Sequence, residues 1–400
     1  MTKELHVGVV EDGARVGGAQ VNIFTLAKNL SPRYRLTVLC PQAGELIREL
    51  EWRGISHVGV PMRRLISSST RIKDRFIFNP FTTAYDFAIC LLQGRILAKL
   101  LRRNRVDVVH TNSMWAHLMG GIAARMVGIP CLWHVQDIIS DRLCFGLITG
   151  LFTLAAKRLA SRVVVVSQAM REMFSGNEIP PVEVVHNGVD TEWFSVKATG
   201  NERQEVRTLW NIPENAILVG LVARLTPWKG QRTFLSAAKE ALRMRNDLYF
   251  ALIGKAARNE RYYEAQLRTM ARSMLPKGRM VFAGYRNDLL KVLSALDIGV
   301  LASEEPEPFG RVLVEYMARG LPVIGTAVGG ATECVRNRET GILIPPNNTG
   351  VMANAIVELA GDELLRKKMG NSGRHWAEAA FSGKDFAVKF ERIYEDLVRS

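Results

Sequence analysis

The chain has 400 residues, of which 48% are hydrophobic, and its 53 basic side chains outnumber 39 acidic ones to give a formal net charge of +14. This composition excludes an intrinsically disordered chain, and the length favours two or three domains with buried cores. The positive charge indicates an anionic partner, such as a nucleic acid or a membrane surface.

The first half of the chain alternates short β-branched runs with longer helical segments, which is typical of βαβ units that build a parallel sheet. The predicted strands are Leu5–Val10, Leu36–Leu39, Val106–Thr111, Pro130–Val135, Val163–Ser167 and Val182–His186. Helices are predicted between them, for example over Gly18–Leu30 and Met114–Val127. We expect residues 1–195 to form one Rossmann-like domain.

Residues 62–105 concentrate basic side chains and also contain several aromatic ones. A mixture of cations and aromatic rings suits an anionic lipid surface. A helix with a solvated basic face is the alternative interpretation. This segment is therefore a candidate membrane-docking patch.

The cysteines and the apolar runs bear on the compartment. The five cysteines are scattered without C-x-x-C spacing, so we expect reduced thiols in a reducing compartment. The longest nearly apolar run, Leu143–Ala156, is shorter than the roughly 20 residues that a membrane-spanning helix needs. These features predict a cytoplasmic protein that could dock on the inner face of the cell membrane.

The second half repeats the pattern of the first after a polar stretch at Ser195–Gln204 that is predicted to be a linker. The predicted strands are Ile217–Ala223, Leu248–Ile253, Met280–Ala283, Ile298–Ala302, Pro322–Gly325 and Ile342–Ile344. Residues 205–380 are expected to form a second Rossmann-like domain, and residues 381–400 a helix that packs back on the first. Two doubly wound domains predict an interdomain cleft as the ligand site.

A glycine-rich segment, Gly13–Gln20, follows the first predicted strand and opens a helix. Glycines let a backbone approach a ligand closely, and a helix N-terminus offers unpaired N–H groups to an anion. The spacing differs from that of the G-x-G-x-x-G dinucleotide fingerprint. Phosphate approach and a tight structural turn are both open interpretations.

Arg224 and Lys229 follow the predicted strand Ile217–Ala223. Two cations at the carboxyl edge of a parallel sheet suit a diphosphate, because Arg can bind two oxygens and Lys acts as a point charge. A solvated loop with two ordinary surface cations is the alternative. The position at the end of a strand favours a ligand.

The most informative segment is Glu304–Pro322. Pro308 and Gly310 break the chain before a helix, whose first N–H groups are available to whatever the preceding loop holds. Glu307 lies in that loop and Glu315 lies in the helix, where carboxylates can accept hydrogen bonds from sugar and ribose hydroxyls. The alternative is an acidic flank that only favours the helix dipole.

The block from Glu307 to Pro322, with two glutamates separated by seven residues, resembles the signature of the retaining family 4 glycosyltransferases of GT-B fold. Supporting matches occur at Gly17–Gly18, His186–Asp190, Ala223–Arg224, Lys229–Gly230 and Gly329–Glu333. Their order and spacing extend the resemblance over nearly the whole chain. It implies an α/β, GT-B architecture of two Rossmann-like, doubly wound parallel-sheet domains with an interdomain cleft.

The same resemblance implies a donor site on the second domain. Arg224 and Lys229 would neutralise the donor diphosphate, Glu315 would bind the ribose and Glu307 would hold the transferred sugar. Backbone contacts to sugar and phosphate are implied at Phe309, Gly310, Leu313 and Val314.

On the first domain, the resemblance implies that Gly17 and Gly18 let a loop close over the diphosphate. A donor-sugar histidine often ends the strand predicted at Pro130–Val135, and the family's usual frame places it at Gln136. His134 lies two residues earlier and would face the same side of an extended strand. We take His134 as the candidate sugar contact, with a structural core histidine as the alternative.

The resemblance implies a metal-independent hexosyltransferase that moves a sugar with retention from a nucleotide-diphosphate sugar, UDP rather than GDP, to an acceptor hydroxyl. The expected catalytic residues are His134, Glu307, Arg224 and Lys229. The sequence has no Asp-x-Asp triplet, so neither a metal nor another cofactor is expected, and protein cations would neutralise the diphosphate. The expected acceptor is lipid-linked or a saccharide, in cell-envelope glycolipid or polysaccharide synthesis.

Two other functions stay open. A basic protein that binds nucleic acid or membrane without sugar transfer would account for the charge but not for the Glu307 and Glu315 block. A sugar-nucleotide epimerase or phosphorylase would keep the fold and change the reaction.

Overall fold

The computed structural model of the chain describes residues 4–63, 69–72, 75–78, 80–138, 147–174, 180–196, 201–257 and 260–399. The chain divides into unit 1, which comprises Met1–Gly188 and Gly383–Ser400, and unit 2, which comprises Val189–Ser382. None of the described helices combines the length and the apolar composition needed to cross a membrane.

Unit 1 is built on a parallel sheet. Its described strands are β1 (Leu5–Val10), β2 (Tyr34–Pro41), β3 (His57–Val60), β4 (Ser69–Ile72), β5 (Arg75–Phe78), β6 (Val108–Thr111), β7 (Cys131–Val135), β8 (Arg162–Val165) and β9 (Val182–Val184). Seven of them pair in the order β3-β2-β1-β6-β7-β8-β9, and β4 and β5 form a separate antiparallel pair. The order reverses between β1 and β6, so the carboxyl ends of these strands flank a topological switch point.

The helices of unit 1 lie on both faces of this sheet. They are α1 (Gly18–Asn29), α2 (Glu45–Trp52), α3 (Pro80–Arg103), α4 (Met114–Val127), α5 (Leu147–Leu159) and α6 (Gln168–Arg171). Alternate residues of β1 point to opposite faces of the sheet, so Val7 and Val9 join one core. On the other face, Gly8 lies against a side chain of α3 and Val10 lies next to α4. Burial on both faces explains why β1 is almost entirely apolar.

Unit 2 repeats this architecture with six parallel strands. They are β10 (Ile217–Val222), β11 (Leu248–Ile253), β12 (Met280–Gly284), β13 (Ile298–Leu301), β14 (Val323–Thr326) and β15 (Gly341–Ile344). Their order is β12-β11-β10-β13-β14-β15, with the reversal between β10 and β13. The helices are α7 (Thr191–Ser195), α8 (Glu202–Leu209), α9 (Gln231–Met244), α10 (Arg261–Met274), α11 (Leu289–Ala295), α12 (Arg311–Ala318), α13 (Ala331–Cys334), α14 (Thr349–Gly361) and α15 (Glu363–Phe381).

The last helix, α16 (Gly383–Arg399), belongs to unit 1. Phe386, Phe390 and Tyr394 are buried in the same core as Val7 and Val9. The phenol of Tyr394 lies 2.6 Å from Nδ1 of His110 on β6. This helix therefore completes the core on one face of the unit 1 sheet.

The predicted fold class, two Rossmann-like parallel-sheet units, is confirmed. The short strands β3, β4 and β5 were not predicted. The first segment of unit 1 ends at Gly188, and Val189 joins unit 2, where it pairs with Ser382 and its N–H donates to the carbonyl of Phe381 at 2.8 Å. The middle of the expected linker, residues 197–200, lies outside the described residues, as do Cys144 and residues 64–68, 73–74 and 79 of the basic segment.

Candidate functional site

Lys229 and Glu307 lie together near the carboxyl ends of β10 and β13 in unit 2. The Lys229 ammonium forms an ion pair with Oε1 of Glu307, and the hydroxyl of Ser303 donates to the same oxygen. The two charged side chains are only 17% and 4% exposed. Burial lowers the pKa of Lys229, and the Glu307 carboxylate opposes that shift because it favours the ammonium form.

Gly230 makes this pairing possible. It has a φ of +68°, and a Cβ at this position would lie 1.8 Å from the carbonyl oxygen of Ala302, which follows β13. A side chain would therefore push the two loops apart. The loops are also joined by the N–H of Glu304, which donates to the carbonyl of Trp228 at 2.8 Å.

Arg224 is the second predicted cation of this edge. It lies two residues past the end of β10 and is exposed, and its charge is near enough to contribute to the lowered pKa of Lys229. The ammonium of Lys229 also lies 4.0 Å from the centre of the Trp228 ring, a cation–π contact. The carboxyl edge of the unit 2 sheet thus carries a buried cation in an ion pair, Lys229, and an exposed cation, Arg224.

The loop that carries Glu307 is fixed by a second loop. The carbonyl of Glu307 accepts from the N–H of Gly330 at 2.8 Å, and Glu307 forms an isolated bridge with Gly329. The side chain of Phe309 is buried against Phe381, and its carbonyl accepts from Sγ of Cys334 at 3.0 Å. Phe309 can therefore offer a ligand only its backbone.

The start of α12 lies directly after this loop. Gly310 caps the helix with a φ of +92°, in the left-handed region that favours glycine. The side chains of Leu313 and Val314 are fully buried, so these residues also have only backbone groups available for a ligand. A helix start of this kind presents N–H groups to an anion.

Glu315 lies further along α12 and forms an ion pair with Arg311, whose Nε is 2.9 Å from Oε1 of Glu315. Both side chains are largely buried. Burial raises the pKa of Glu315, while the charge and hydrogen bond of Arg311 oppose the shift. Arg311 was not predicted from the sequence as a site residue, although its i,i+4 spacing from Glu315 indicates such a pair.

Gly17 and Gly18 lie at the start of α1 in unit 1. Gly17 has an extended backbone, with a φ of −140°, and its N–H donates to Oε1 of Gln20 at 2.9 Å. A Cβ on Gly18 would meet no atom within 4 Å. Neither the conformation of Gly17 nor the packing around Gly18 requires glycine, so a tight structural turn does not explain these residues.

His134 is a core residue of unit 1, and this burial favours the alternative of a structural histidine over a sugar contact. It is 1% exposed, its ring centre lies 4.9 Å from that of Phe390 on α16, and its Nδ1 lies 3.2 Å from Nε2 of His110. Burial lowers the pKa of His134 well below its ordinary value. His134 is buried because α16 covers this part of the sheet.

Gln136 lies just past the end of β7 and belongs to a chain of buried polar side chains that sequence reasoning missed. Its Oε1 accepts from Asn22 on α1, and its Nε2 donates to Oδ1 of Asn112, which follows β6. Nδ2 of Asn112 donates to Oε2 of Glu11 at 3.0 Å. Polar residues directly after the buried strands β1 and β6 were the available signal.

The predicted site residues thus fall into two groups. Unit 2 brings Lys229 and Glu307 into contact, with Arg224 close by and Glu315 on the neighbouring helix α12. Unit 1 separately holds Gly17 and Gly18, with His134 buried in its core. Within the described part of the chain, no group of three or more His, Cys, Asp or Glu side chains is arranged to hold a metal ion.

Comparison with known proteins places each unit in a family. The model described as "Glycosyl transferases group 1" matches residues 202–376, and the model described as "Glycosyltransferase Family 4" matches residues 16–193. Over 312 residues, the chain is 28% identical to the UDP-Gal:alpha-D-GlcNAc-diphosphoundecaprenol alpha-1,3-galactosyltransferase of Escherichia coli, covering 76% of this chain and 78% of that protein.

A second relative and a solved structure extend the comparison. The chain is 27% identical over 226 residues to the GDP-mannose-dependent monoacylated alpha-(1-6)-phosphatidylinositol monomannoside mannosyltransferase of Corynebacterium glutamicum, covering 55% of this chain and 58% of that protein. The structure of Anabaena Alr3699/HepE in complex with UDP and glucose matches with a TM-score of 0.82 at 24% identity, covering 97% of this chain and 99% of that one. The family models together span both units, and the chain belongs to the group 1, family 4 glycosyltransferases of GT-B fold.

Proposed function

We propose that this glycosyltransferase moves a hexose, with retention of anomeric configuration and without a metal ion, from a UDP-sugar to an acceptor hydroxyl in cell-envelope glycolipid or polysaccharide synthesis. The observation that carries the proposal is the Lys229 and Glu307 pair at the carboxyl edge of the unit 2 sheet, next to the start of α12. This edge combines a cation for a phosphate with a carboxylate for sugar hydroxyls.

The charges of unit 2 suit departure of a diphosphate. Negative charge grows on the leaving phosphate in the transition state, and cations fixed in advance stabilise it at little reorganisation cost. We assign this role to Lys229 and Arg224, helped by the N–H groups at the start of α12. Because Lys229 already pairs with Glu307, its ammonium is held in place before a substrate arrives.

The carboxylates of unit 2 would orient the donor. We assign the ribose hydroxyls to Glu315 and the transferred sugar to Glu307, with backbone contacts at Phe309, Gly310, Leu313 and Val314. On unit 1, the open space beside Gly18 supports close approach of a diphosphate to the Gly17 and Gly18 backbone. The buried His134 has no such surface, so we assign a sugar contact to Gln136 in its place.

The choice of UDP is supported by the Escherichia coli relative, which is named for UDP-Gal, whereas the Corynebacterium relative is named for GDP-mannose. A thermal-stability screen against UDP, GDP, ADP and their sugar conjugates tests the choice, because a ligand that binds only the folded state raises the melting temperature. The expected result is a shift with UDP compounds that is lost in Glu315→Ala and Lys229→Ala. Arg338→Ala, at an exposed ion pair of the same unit, is the control and should keep the shift.

The reaction itself needs a product assay. Release of UDP in step with a glycosylated acceptor, whose new bond has the anomeric configuration of the donor by NMR, supports a retaining transferase. Full activity in excess EDTA supports metal independence. An altered sugar nucleotide without UDP release would indicate an epimerase, and formation of a sugar phosphate would indicate a phosphorylase.

For the acceptor side, we propose that α3 docks unit 1 on the anionic inner leaflet of the cell membrane. Tyr85, Phe87 and Leu91 are exposed apolar residues on this helix, and the exposed cations Arg95 and Lys99 follow them. On such a helix, insertion of the apolar side chains into the bilayer and attraction of the cations to anionic lipids act together. Each nearby cation contributes about 1 kcal/mol before screening. A peripheral position of this kind suits a lipid-linked acceptor.

Liposome sedimentation tests the docking. Wild-type protein should sediment with phosphatidylglycerol vesicles more than with phosphatidylcholine vesicles at low salt, and a Phe87→Ser, Leu91→Ser, Lys99→Glu variant should stay in the supernatant. Lys277→Glu changes the charge equally on an exposed residue of unit 2 and should behave as wild type. Equal sedimentation of wild type with both lipids would exclude an electrostatic docking role.

A further inference from the structure

A continuous chain of hydrogen bonds runs along the carboxyl edge of the unit 1 sheet, across the ends of β1, β6 and β7. It begins at Glu11, passes through Asn112 to Gln136 and ends at Asn22 on α1. Glu11, Asn112 and Asn22 are each no more than 1% exposed, and Gln136 is the most exposed member at 7%. This chain of hydrogen bonds crosses the topological switch point between β1 and β6, where ligands of parallel sheets bind.

The direction of every bond in this chain is set by fixed groups. Oε1 of Glu11 accepts from the backbone N–H of Gly13 at 2.8 Å, and its Oε2 accepts from Nδ2 of Asn112. Nδ2 of Asn112 also donates to the carbonyl of Ala19 at 2.9 Å. A backbone carbonyl can only accept, so Asn112 must turn its NH₂ toward the Ala19 carbonyl and the Glu11 carboxyl group, and its oxygen toward Gln136.

This constraint passes to the Gln136 amide. Because Asn112 presents an oxygen, Gln136 must present its NH₂ to that side and its own oxygen to Nδ2 of Asn22. One N–H of Gln136 is used by Asn112, and the amide has a second N–H to offer. The side chain is thereby preset as a hydrogen-bond donor.

We propose that Asn112, held by Glu11, is a positioning residue that fixes Gln136 to donate an N–H to a sugar hydroxyl oxygen of a substrate. This inference rests on the proposed transferase function and extends it to residues of unit 1. The sugar is that of the donor or that of the acceptor, since both offer the same chemistry. Asn112 acts on the sugar through Gln136, and a double-mutant cycle isolates this coupling from the effect of its bond to the Ala19 carbonyl.

The test is a double-mutant cycle in the full-length enzyme with Asn112→Leu, Gln136→Leu and the double variant, using UDP-galactose or the donor found in the thermal screen. Loss of one neutral hydrogen bond predicts a three- to tenfold fall in kcat/KM for Gln136→Leu, roughly the effect of about 0.5–1.5 kcal/mol. Asn112→Leu should cause a similar fall in the wild-type background. When Gln136 is already Leu, Asn112→Leu should lower kcat/KM by less than about twofold.

The arms of the assay separate the two sugars. A raised donor KM, also seen in donor hydrolysis without acceptor, assigns Gln136 to the donor sugar, and a raised acceptor KM at saturating donor assigns it to the acceptor. Asn104→Leu controls for the loss of an asparagine, because Asn104 is in the same unit but is not part of this chain of hydrogen bonds. If Asn112→Leu does not fold, Asn22→Leu replaces it, because Asn22 holds the other side of the Gln136 amide.

The outcomes distinguish this inference from the proposed function. Equal losses from Asn112→Leu in both backgrounds would show a purely structural role and would overturn the inference while the transferase function stands. An unchanged kcat/KM in Gln136→Leu would overturn it as well. A folded wild-type protein that neither binds nor turns over any sugar nucleotide would overturn the proposed function and this inference together.

Discussion

Lys229 and Glu307 form a buried ion pair between residues that are 78 positions apart in the chain. Each side chain compensates the charge of the other, and Ser303 adds a hydrogen bond to the carboxylate. A charge buried in this way is costly once its partner is removed. The pair therefore contributes to the stability of unit 2 as well as to its proposed chemistry.

Replacing Glu307 by Gln should destabilise unit 2 by about 3–5 kcal/mol at neutral pH, because the ammonium of Lys229 stays buried without a counter-charge. The double variant Lys229→Met, Glu307→Gln should be more stable than Glu307→Gln alone. Chemical unfolding curves of the wild type, Glu307→Gln and the double variant measure both effects. Equal stabilities of the single and double variants would show that the pair carries no such coupling.

The same variant predicts a pH dependence. Without Glu307, burial lowers the pKa of Lys229 further, so the folded protein holds this proton less tightly than the unfolded chain does. Where the unfolded state binds more protons, stability rises with pH. The stability deficit of Glu307→Gln should thus shrink between neutral pH and pH values near the ordinary pKa of lysine, about 10.4. Melting temperatures across that window provide the measurement.

Arg311 should hold Glu315 ionised for nucleotide binding. Burial already raises the pKa of Glu315, and Arg311→Leu removes the charge that opposes the shift. We expect this variant to bind UDP about five- to tenfold more weakly at mildly acidic pH, with recovery as the pH rises, because hydrogen bonds to a charged acceptor are stronger. Calorimetry at several pH values tests this. Arg53→Leu, which removes an exposed i,i+4 pair with Glu49, should leave the affinity unchanged.

Gly230 can be tested against a matched glycine of the same unit. Both Gly230 and Gly278 have a positive φ, but a Cβ on Gly278 would meet nothing within 4 Å, whereas one on Gly230 would overlap the carbonyl of Ala302. Gly278→Ala should cost about 1 kcal/mol for backbone strain alone. Gly230→Ala should cost about 2 kcal/mol more and should also lower activity, since the loop carries Lys229. Similar losses in both variants would mean that the loop yields without displacing β13.

The architecture could be predicted from the sequence because the periodicity is strong. The six-residue strands at Leu5–Val10 and Leu248–Ile253 lie where the apolar runs place them. The strand β3, His57–Val60, lies at the edge of the sheet and has a mixed burial pattern, so it lacks such a signal. Residue alternation identifies strands that are buried on both faces, and it is less informative for short strands at the edge of a sheet.

The site could be predicted only in part. The spacing of Glu307 and Glu315 is local and visible in the sequence. The pairing of Lys229 with Glu307 depends on two loops meeting at a sheet edge, and no local pattern encodes it. The burial of His134 could not be predicted because α16, about 250 residues later in the chain, covers the face of the sheet on which it lies.

The burial of His134 yields a prediction that separates it from Gln136. His134→Ala removes a buried ring that packs against Phe390 and leaves Nε2 of His110 without its partner, so it should lower stability by about 2–5 kcal/mol. At low temperature, where the variant is still folded, its donor KM should stay within about twofold of wild type, since the ring has no exposed surface. Gln136→Ala should also lose stability, because it removes buried hydrogen bonds to Asn112 and Asn22, but unlike His134→Ala it should change the KM of the folded enzyme. Steady-state kinetics on protein whose folded fraction is known by circular dichroism make the comparison.

A large rise in donor KM for well-folded His134→Ala would return the sugar contact to the histidine. It would also require α16 to move away from the sheet when the donor binds.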